Sequence, residues 1–180
     1  MQKKIVLIGG PGTGKSTVLN ELEKRGFHCM PEVSREVTIE AQKKGIQQLF
    51  LTEPILFSKM LLEGRERQYL EAEKINTQQV FFDRGLPDVY AYMEYTKEAY
   101  PEYFKEKCLQ YKYDHVFLFS PWREIYTSDN ERYESFEEST KIDLFLQNAY
   151  RELGYTIVSV PFGSVDERVN FILNWLKLNV

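Results

Sequence analysis

Ile5-Val6-Leu7-Ile8-Gly9-Gly10-Pro11-Gly12-Thr13-Gly14-Lys15-Ser16-Thr17-Val18-Leu19 is the stretch that decides how this chain folds. It opens with a short branched-apolar run of the kind that forms a buried strand, and it passes straight into Gly9-x-x-x-x-Gly14-Lys15-Ser16. An amphipathic helix is predicted from Ser16 to Arg25, with Val18, Leu19 and Leu22 on one face and Gly26 in the C-terminal cap position. The spacing has a physical purpose. Glycines let backbone N–H groups turn inward around phosphate oxygens with no Cβ in the way. The new helix then points its partial positive end at the same oxygens. Lys15 can reach the β and γ phosphates, and the Ser16 hydroxyl can ligate magnesium. Gly9, Gly10, Pro11, Gly12, Thr13, Gly14, Lys15, Ser16 and Thr17 are therefore expected to hold a nucleoside triphosphate with Mg2+.

Outward from this loop, Val80–Phe82, Val116–Phe119 and Thr156–Val160 repeat the apolar pattern of Ile5–Ile8, and Phe27–Met30 is a weaker fifth run closed by Pro31. Short runs of this kind separated by helical patterns read as buried parallel strands of an α/β protein. Residues 33–44 predict a polar helix. Thr52 is placed to cap a long helix running to about Ile75, with Pro54 tolerated in its first turn. Ser135 with Glu138, and Ser164 with Glu167, have capping-box spacing. The helices they open carry Ile142, Leu146, Ala149, Leu153 and Val165, Val169, Ile172, Leu176 on single faces, and Gly154 stops the first. The predicted order is β-α-β-α-α-β-α-β-α-β-α, without repeats or linkers, which reads as one domain over residues 1–180.

Composition limits the function classes. The chain has 180 residues and a formal net charge of −4 with no long basic run, so nucleic acid is not expected as a partner. Cys29 and Cys108 lack C-x-x-C spacing and suggest neither a zinc site nor a disulfide framework. No stretch approaches the roughly 20 apolar residues that cross a bilayer, and the N-terminus does not resemble a signal peptide. A cytoplasmic protein without membrane contact is the expectation.

Further candidate site residues sit at strand ends, where an α/β sheet gathers its ligands. Asp83 ends the third strand and can hold magnesium; Arg84 follows and can neutralise charge on a transferring phosphoryl group. Glu32 closes the second strand and can accept a proton from an attacking hydroxyl, or it simply starts a helix. Arg35, one turn on, faces the same pocket or pairs with Glu32. The polar segment from about 120 to 135 has the look of a lid carrying Arg123 and Arg132, of which Arg132 is preferred for reaching the triphosphate. Tyr90, Tyr92, Met93 and Tyr95 read as helix packing rather than a base pocket, and the two histidines as core or edge residues. The mixed charges from Glu63 to Glu73 read as a solvated helix face.

Taken together, the phosphate loop, Pro31-Glu32-Val33, Asp83-Arg84-Gly85 and the arginine-bearing lid resemble P-loop nucleoside kinase-like proteins. The closest likeness is to the small AAA-like ATPase domain family that includes ribosylnicotinamide kinase domains. The likeness implies a three-layer α/β/α core around a parallel five-stranded sheet ordered 2-3-1-4-5. It places Lys15, Ser16, Glu32, Asp83, Arg84 and Arg132 at functional positions. Pro121-Trp122 and Asp129-Asn130-Glu131-Arg132 are similar to that family's lid elements, though Asn130 stands where its pattern has glycine. Two functions follow. One is a small-molecule kinase moving the γ-phosphoryl group of ATP to a hydroxyl of a nucleoside-like metabolite. The other is a regulatory ATPase whose state a protein partner reads, with helix 53–75 as its surface. The sequence lacks the Asn-Lys-x-Asp signature of guanine-selective proteins, which favours ATP.

Overall fold

The run Ile5–Ile8 has no polar side chain to leave in water, and it forms the middle of the molecule as β1 (Lys3–Ile8). The computed structural model describes residues 1–43, 45–46, 49–126 and 135–179. After β1 come α1 (Lys15–Lys24), β2 (His28–Met30), α2 (Ser34–Lys43), α3 (Leu49–Thr52) and α4 (Pro54–Glu73). They are followed by β3 (Gln79–Asp83), α5 (Leu86–Thr96), α6 (Tyr103–Gln110), β4 (His115–Leu118), α7 (Phe136–Glu152), β5 (Ile157–Ser159) and α8 (Val165–Asn179).

The strands pair in parallel in the order β2-β3-β1-β4-β5, as the family likeness implies. Alternation along the strands builds the layers. Ile5, Leu7, Phe81 and Phe117 face one side, where Val18, Leu19 and Leu22 of α1 and Val169, Ile172 and Leu176 of α8 cover them. Val6, Ile8, Val80, Phe82, Val116 and Leu118 face the other, under α4, α5, α6 and α7. A parallel sheet covered on both faces needs apolar runs rather than alternating ones, and that is why the strands were legible as runs.

Both capping boxes form. Glu138 N–H donates to Ser135 Oγ at 3.1 Å and Ser135 N–H to Glu138 Oε2 at 2.6 Å, opening α7. Glu167 N–H donates to Ser164 Oγ at 3.2 Å, and Ser164 N–H returns to Glu167 Oε2 at 2.8 Å ahead of α8.

Two expectations are corrected. Thr52 does not cap the long helix: it ends the separate short helix α3, and Glu53 is the residue before α4, with Pro54 in the first turn. One helix was expected between the third and fourth strands, but there are two. α5 closes at Lys97 in the left-handed region (φ 56°), and Pro101 then stands in the connection to α6, where its ring disfavours a helical residue before it. No helix of the described residues is long and apolar enough to cross a membrane.

Candidate active site

The parallel order carries the ends of β1, β2 and β3 to one edge, so the phosphate loop, Glu32 and Asp83-Arg84 meet although they are far apart in sequence. The loop is held in its turn by glycine geometry. Gly9 has φ 145°, and a Cβ there would lie 2.2 Å from the Phe119 carbonyl oxygen. Gly9→Ala is therefore expected to destabilise the fold by about 1–3 kcal/mol from backbone strain alone, seen as a lower midpoint in urea unfolding. From behind, α8 supports the loop through Arg168, whose guanidinium donates to the Thr13 carbonyl at 3.2 Å. Ser139 of α7 donates to the Pro11 carbonyl at 3.4 Å.

Lys15 is only 5% exposed, and its ammonium donates to the carbonyls of Gly9 at 2.9 Å and Gly10 at 2.8 Å. Burial and the neighbouring Arg84 lower its pKa to about 8, against the pull of Asp83, Glu32 and Asp88. The Ser16 hydroxyl donates to Asp83 Oδ2 at 2.6 Å, while Asp83 Oδ1 is buried with no hydrogen-bond partner among the described residues. A hydroxyl, a carboxylate and an unsatisfied buried oxygen side by side are the hard donors that magnesium takes, shared with phosphates and water. Among the described residues no group of three or more His, Cys, Asp or Glu side chains could hold a metal by protein ligands alone.

Arg84 has a φ of 70°, uncommon for a residue with a Cβ, and costs about 1–2 kcal/mol in that conformation. The turn sends its side chain back beneath the loop. There it donates to the Gly9 carbonyl at 3.2 Å, pairs with Glu32 through Nε, and lies 3.6 Å from Asp88. Burial opposes its charge, but Glu32, Asp88 and Asp83 outweigh burial and raise its pKa. Glu32 also pairs with Arg65 at 3.1 Å and accepts from the Ser34 N–H at 3.2 Å. Burial opposes its ionisation, yet Arg65 and Arg84 lower its pKa to about 2.

Arg65 and Asp88 complete the cluster. Arg65 on α4 is buried and donates to the Gly85 carbonyl at 2.9 Å. Asp88 on α5 accepts from the Tyr150 hydroxyl at 2.7 Å and the Gly85 N–H at 2.9 Å. A sequence signal for Arg65 existed. Ser58, Leu62, Arg65, Tyr69 and Ala72 follow the spacing of one buried helix stripe, and polar residues interrupting such a stripe face a site or a partner. The Glu63–Glu73 segment is thus only partly a solvated face.

These groups line a cavity of about 370 Å³ that continues from Pro11–Thr17 past Glu32 to Phe57, Leu61, Tyr92, Ile142 and Leu146. Gly9 and Gly10 are not in its wall; they supply the carbonyls that hold Lys15. Arg35 is exposed and lies outside the cavity lining, and Glu32 is held by Arg65 and Arg84. Arg123 rests 3.6 Å from Glu137 with its guanidinium over the Phe136 ring. Arg132 lies outside the described residues, as do Asp129, Asn130 and Glu131. Tyr90 and Met93 are core residues and Tyr95 packs on Phe145, as expected, but Tyr92 reaches the cavity.

Sheet order, loop and strand-end acids define a P-loop nucleoside kinase-like fold. The chain belongs to the AAA domain family, whose model matches residues 4–168. The structure of deoxyadenosine kinase from M. mycoides with bound dATP is similar at TM-score 0.68 and 18% identity, over 98% of this chain and 100% of that one. NadR protein in complex with NAD and AMP-PNP is similar at TM-score 0.66 and 18% identity, over 98% of this chain and 49% of that one. Thymidylate kinase from Candida albicans follows at TM-score 0.64 and 12% identity, over 99% of this chain and 92% of that one. At these identities the likeness is one of fold. No protein of curated function matches the sequence.

Proposed function

We propose that the chain is an ATP-dependent kinase that phosphorylates a hydroxyl of a small, nucleoside-like molecule. The observation carrying this reading is Glu32: a carboxylate fixed between Arg65 and Arg84 inside a cavity that starts at the phosphate loop and ends in apolar walls. A protein that only hydrolyses ATP has no need of such walls. The fold likeness to a deoxyadenosine kinase with bound dATP and to NadR protein in complex with NAD and AMP-PNP supports the same direction.

In the mechanism, the loop amides and the α1 N-terminus cradle the triphosphate while Lys15 turns from the loop carbonyls to the β and γ phosphates. Ser16 and Asp83 would hold magnesium, which neutralises phosphate charge when bound. Glu32 is fully ionised near neutrality and accepts a hydrogen bond from the acceptor hydroxyl, aligning its oxygen with the γ phosphorus. The new O–P bond forms as the bridge to the β phosphate breaks, and ADP leaves with that electron pair. The hydroxyl proton passes to Glu32 late, because in a loose phosphoryl-transfer transition state the attacking oxygen gains little charge early. A carboxylate of low pKa suffices there. Arg84, between Glu32 and the Gly9 carbonyl, screens the attacking side from the phosphate charge.

The proposal is tested with ATP, magnesium and a panel of nucleosides, nicotinamide riboside and other small alcohols. Acceptor-dependent ADP release with a phosphorylated product is expected. Bound nucleotide with no stimulation by any hydroxyl would overturn the kinase reading, and acceptor-independent hydrolysis with altered hydrogen exchange would favour the regulatory ATPase.

Lys15 gives a pH prediction. Free, it titrates at about 8; with a triphosphate beside it the ammonium is favoured and its pKa rises. Affinity for ATP should be flat below pH 8 and fall by up to about tenfold per pH unit above it, with matching proton uptake. Calorimetry in buffers of different ionisation enthalpy measures both.

A further inference from the structure

Charge balance within the cavity says something about the acceptor. The charged side chains of its described lining are Lys15, Arg65 and Arg84 against Glu32, Asp83 and Asp88. Arg65 and Arg84 are both held by Glu32, and Arg84 leans on Asp88 as well. Lys15 lies in the phosphate loop. An acceptor lodged beyond Glu32 therefore finds no cation free of a carboxylate partner among the described lining residues. A phosphate or carboxylate is recognised best by an unengaged donor fork; here it would have to draw Arg65 or Arg84 away from Glu32 and would lie against the like charges of Glu32 and Asp88.

Four polar atoms of the lining have no hydrogen-bond partner among the described residues: Ser58 Oγ, Arg65 Nε, Asp83 Oδ1 and Asp88 Oδ1, and of these only the serine belongs to a neutral side chain. Ser58, on the buried stripe of α4, is 0% exposed and lines the cavity between Phe57 and Leu61. Its Oγ has no hydrogen-bond partner among the described residues. A helical serine ordinarily returns its hydroxyl to a carbonyl one turn back, and a buried hydroxyl left unmet is costly unless a ligand satisfies it.

We propose that the acceptor carries no phosphate or carboxylate, lays an apolar or aromatic body against α4, α5 and α7, and is selected by a polar group that hydrogen-bonds Ser58. This rests on the kinase reading above and narrows it to non-anionic hydroxyl compounds, with Ser58 as a specificity residue. A site built to satisfy a buried polar group discriminates strongly against molecules that cannot do so.

The test pairs each non-anionic compound with an anionic counterpart: nucleosides with their 5′-monophosphates, and neutral alcohols with the matching hydroxy acids. Transfer is measured with the wild-type chain and Ser58→Ala, alongside binding by calorimetry in the presence of AMP-PNP. Non-anionic acceptors are expected to exceed their counterparts by at least about a hundredfold in kcat/KM. Ser58→Ala should raise the acceptor KM about tenfold, with kcat within about twofold and the KM for ATP unchanged, a split that a merely structural serine would not produce. Equal or better turnover of anionic acceptors would overturn the inference while leaving the kinase reading intact. An unchanged acceptor KM in Ser58→Ala would overturn the role of Ser58. If nothing is phosphorylated, the kinase reading fails and binding decides. Non-anionic compounds that bind, and bind more weakly to Ser58→Ala, would support the pocket assignment. Preference for anions, or no binding at all, would overturn it.

Discussion

Replacing Lys15 with methionine is expected to lower kcat/KM by at least about a hundredfold to a thousandfold while leaving the fold standing. The magnitude is that of removing one preorganised donor from a site of developing negative charge, and here the donor is a full cation. The fold survives for a reason visible in the free protein. Lys15 gains hydrogen bonds to the Gly9 and Gly10 carbonyls, but its pKa is lowered to about 8 by burial and by Arg84, so keeping the charge there is itself unfavourable. The two effects oppose one another, and unfolding free energy should change by no more than about 1 kcal/mol. Urea unfolding and steady-state kinetics on the same preparation separate the effects. A collapsed fold, or activity within tenfold of wild type, would show that Lys15 does not serve the phosphates.

Glu32→Gln should behave differently, losing both activity and stability. In the proposed role, aligning the acceptor and taking its proton, Glu32 would be worth about 10² to 10⁴ in kcat, and the KM for ATP should then stay within a few-fold because that role lies on the acceptor side. Stability should fall by about 1–3 kcal/mol. Removing one partner of a buried ion pair strands the other, although Arg84 keeps Asp88 and Arg65 keeps the Gly85 carbonyl. The pH dependence follows from the lowered pKa. The folded carboxyl titrates at about 2 against a usual value of 4.5, so between those values the unfolded state binds more protons and stability rises with pH. The contribution of Glu32 is complete above about 4.5 and is lost as pH falls towards 2. The stability gap between wild type and Glu32→Gln should therefore close over that window. A gap that does not change with pH would mean that the Arg65 and Arg84 contacts do not hold Glu32 in solution.

Much of this molecule was legible before it was folded. The phosphate loop, the strand runs, the α1 face and both capping boxes depend on neighbours within a turn or two, where residue type and spacing fix the local geometry. Sheet order came through family likeness rather than from the runs themselves, which are interchangeable buried strands. Thr52 misled because a hydroxyl before a helical run is a good cap only if the chain does not turn helical earlier, and Leu49–Thr52 does. Glu32 stayed ambiguous because a carboxylate ahead of a helix is favourable whether or not it works. Its hold by Arg65 spans 33 positions, and the Ser16–Asp83 contact spans 67. Arg65 passed for a surface charge because its helix carries charges on several faces. What made it a site residue is the docking of α4 onto the sheet, which removed that face from water.

The sequence by itself determined that this chain builds a phosphate loop between a buried strand and a helix, because that motif is written in contiguous residues. Tertiary structure decided which of the strand-end candidates meet the loop and which other residues surround them. Parallel pairing of β1 with β3 brings Asp83 to Ser16, and the packing of α4, α5 and α7 sets Arg65, Asp88 and Ser58 around Glu32. The physical reason is that a loop's conformation is a local matter of φ, ψ and Cβ clashes. The charge and polarity of a cavity are sums over groups that only packing brings within reach of one another.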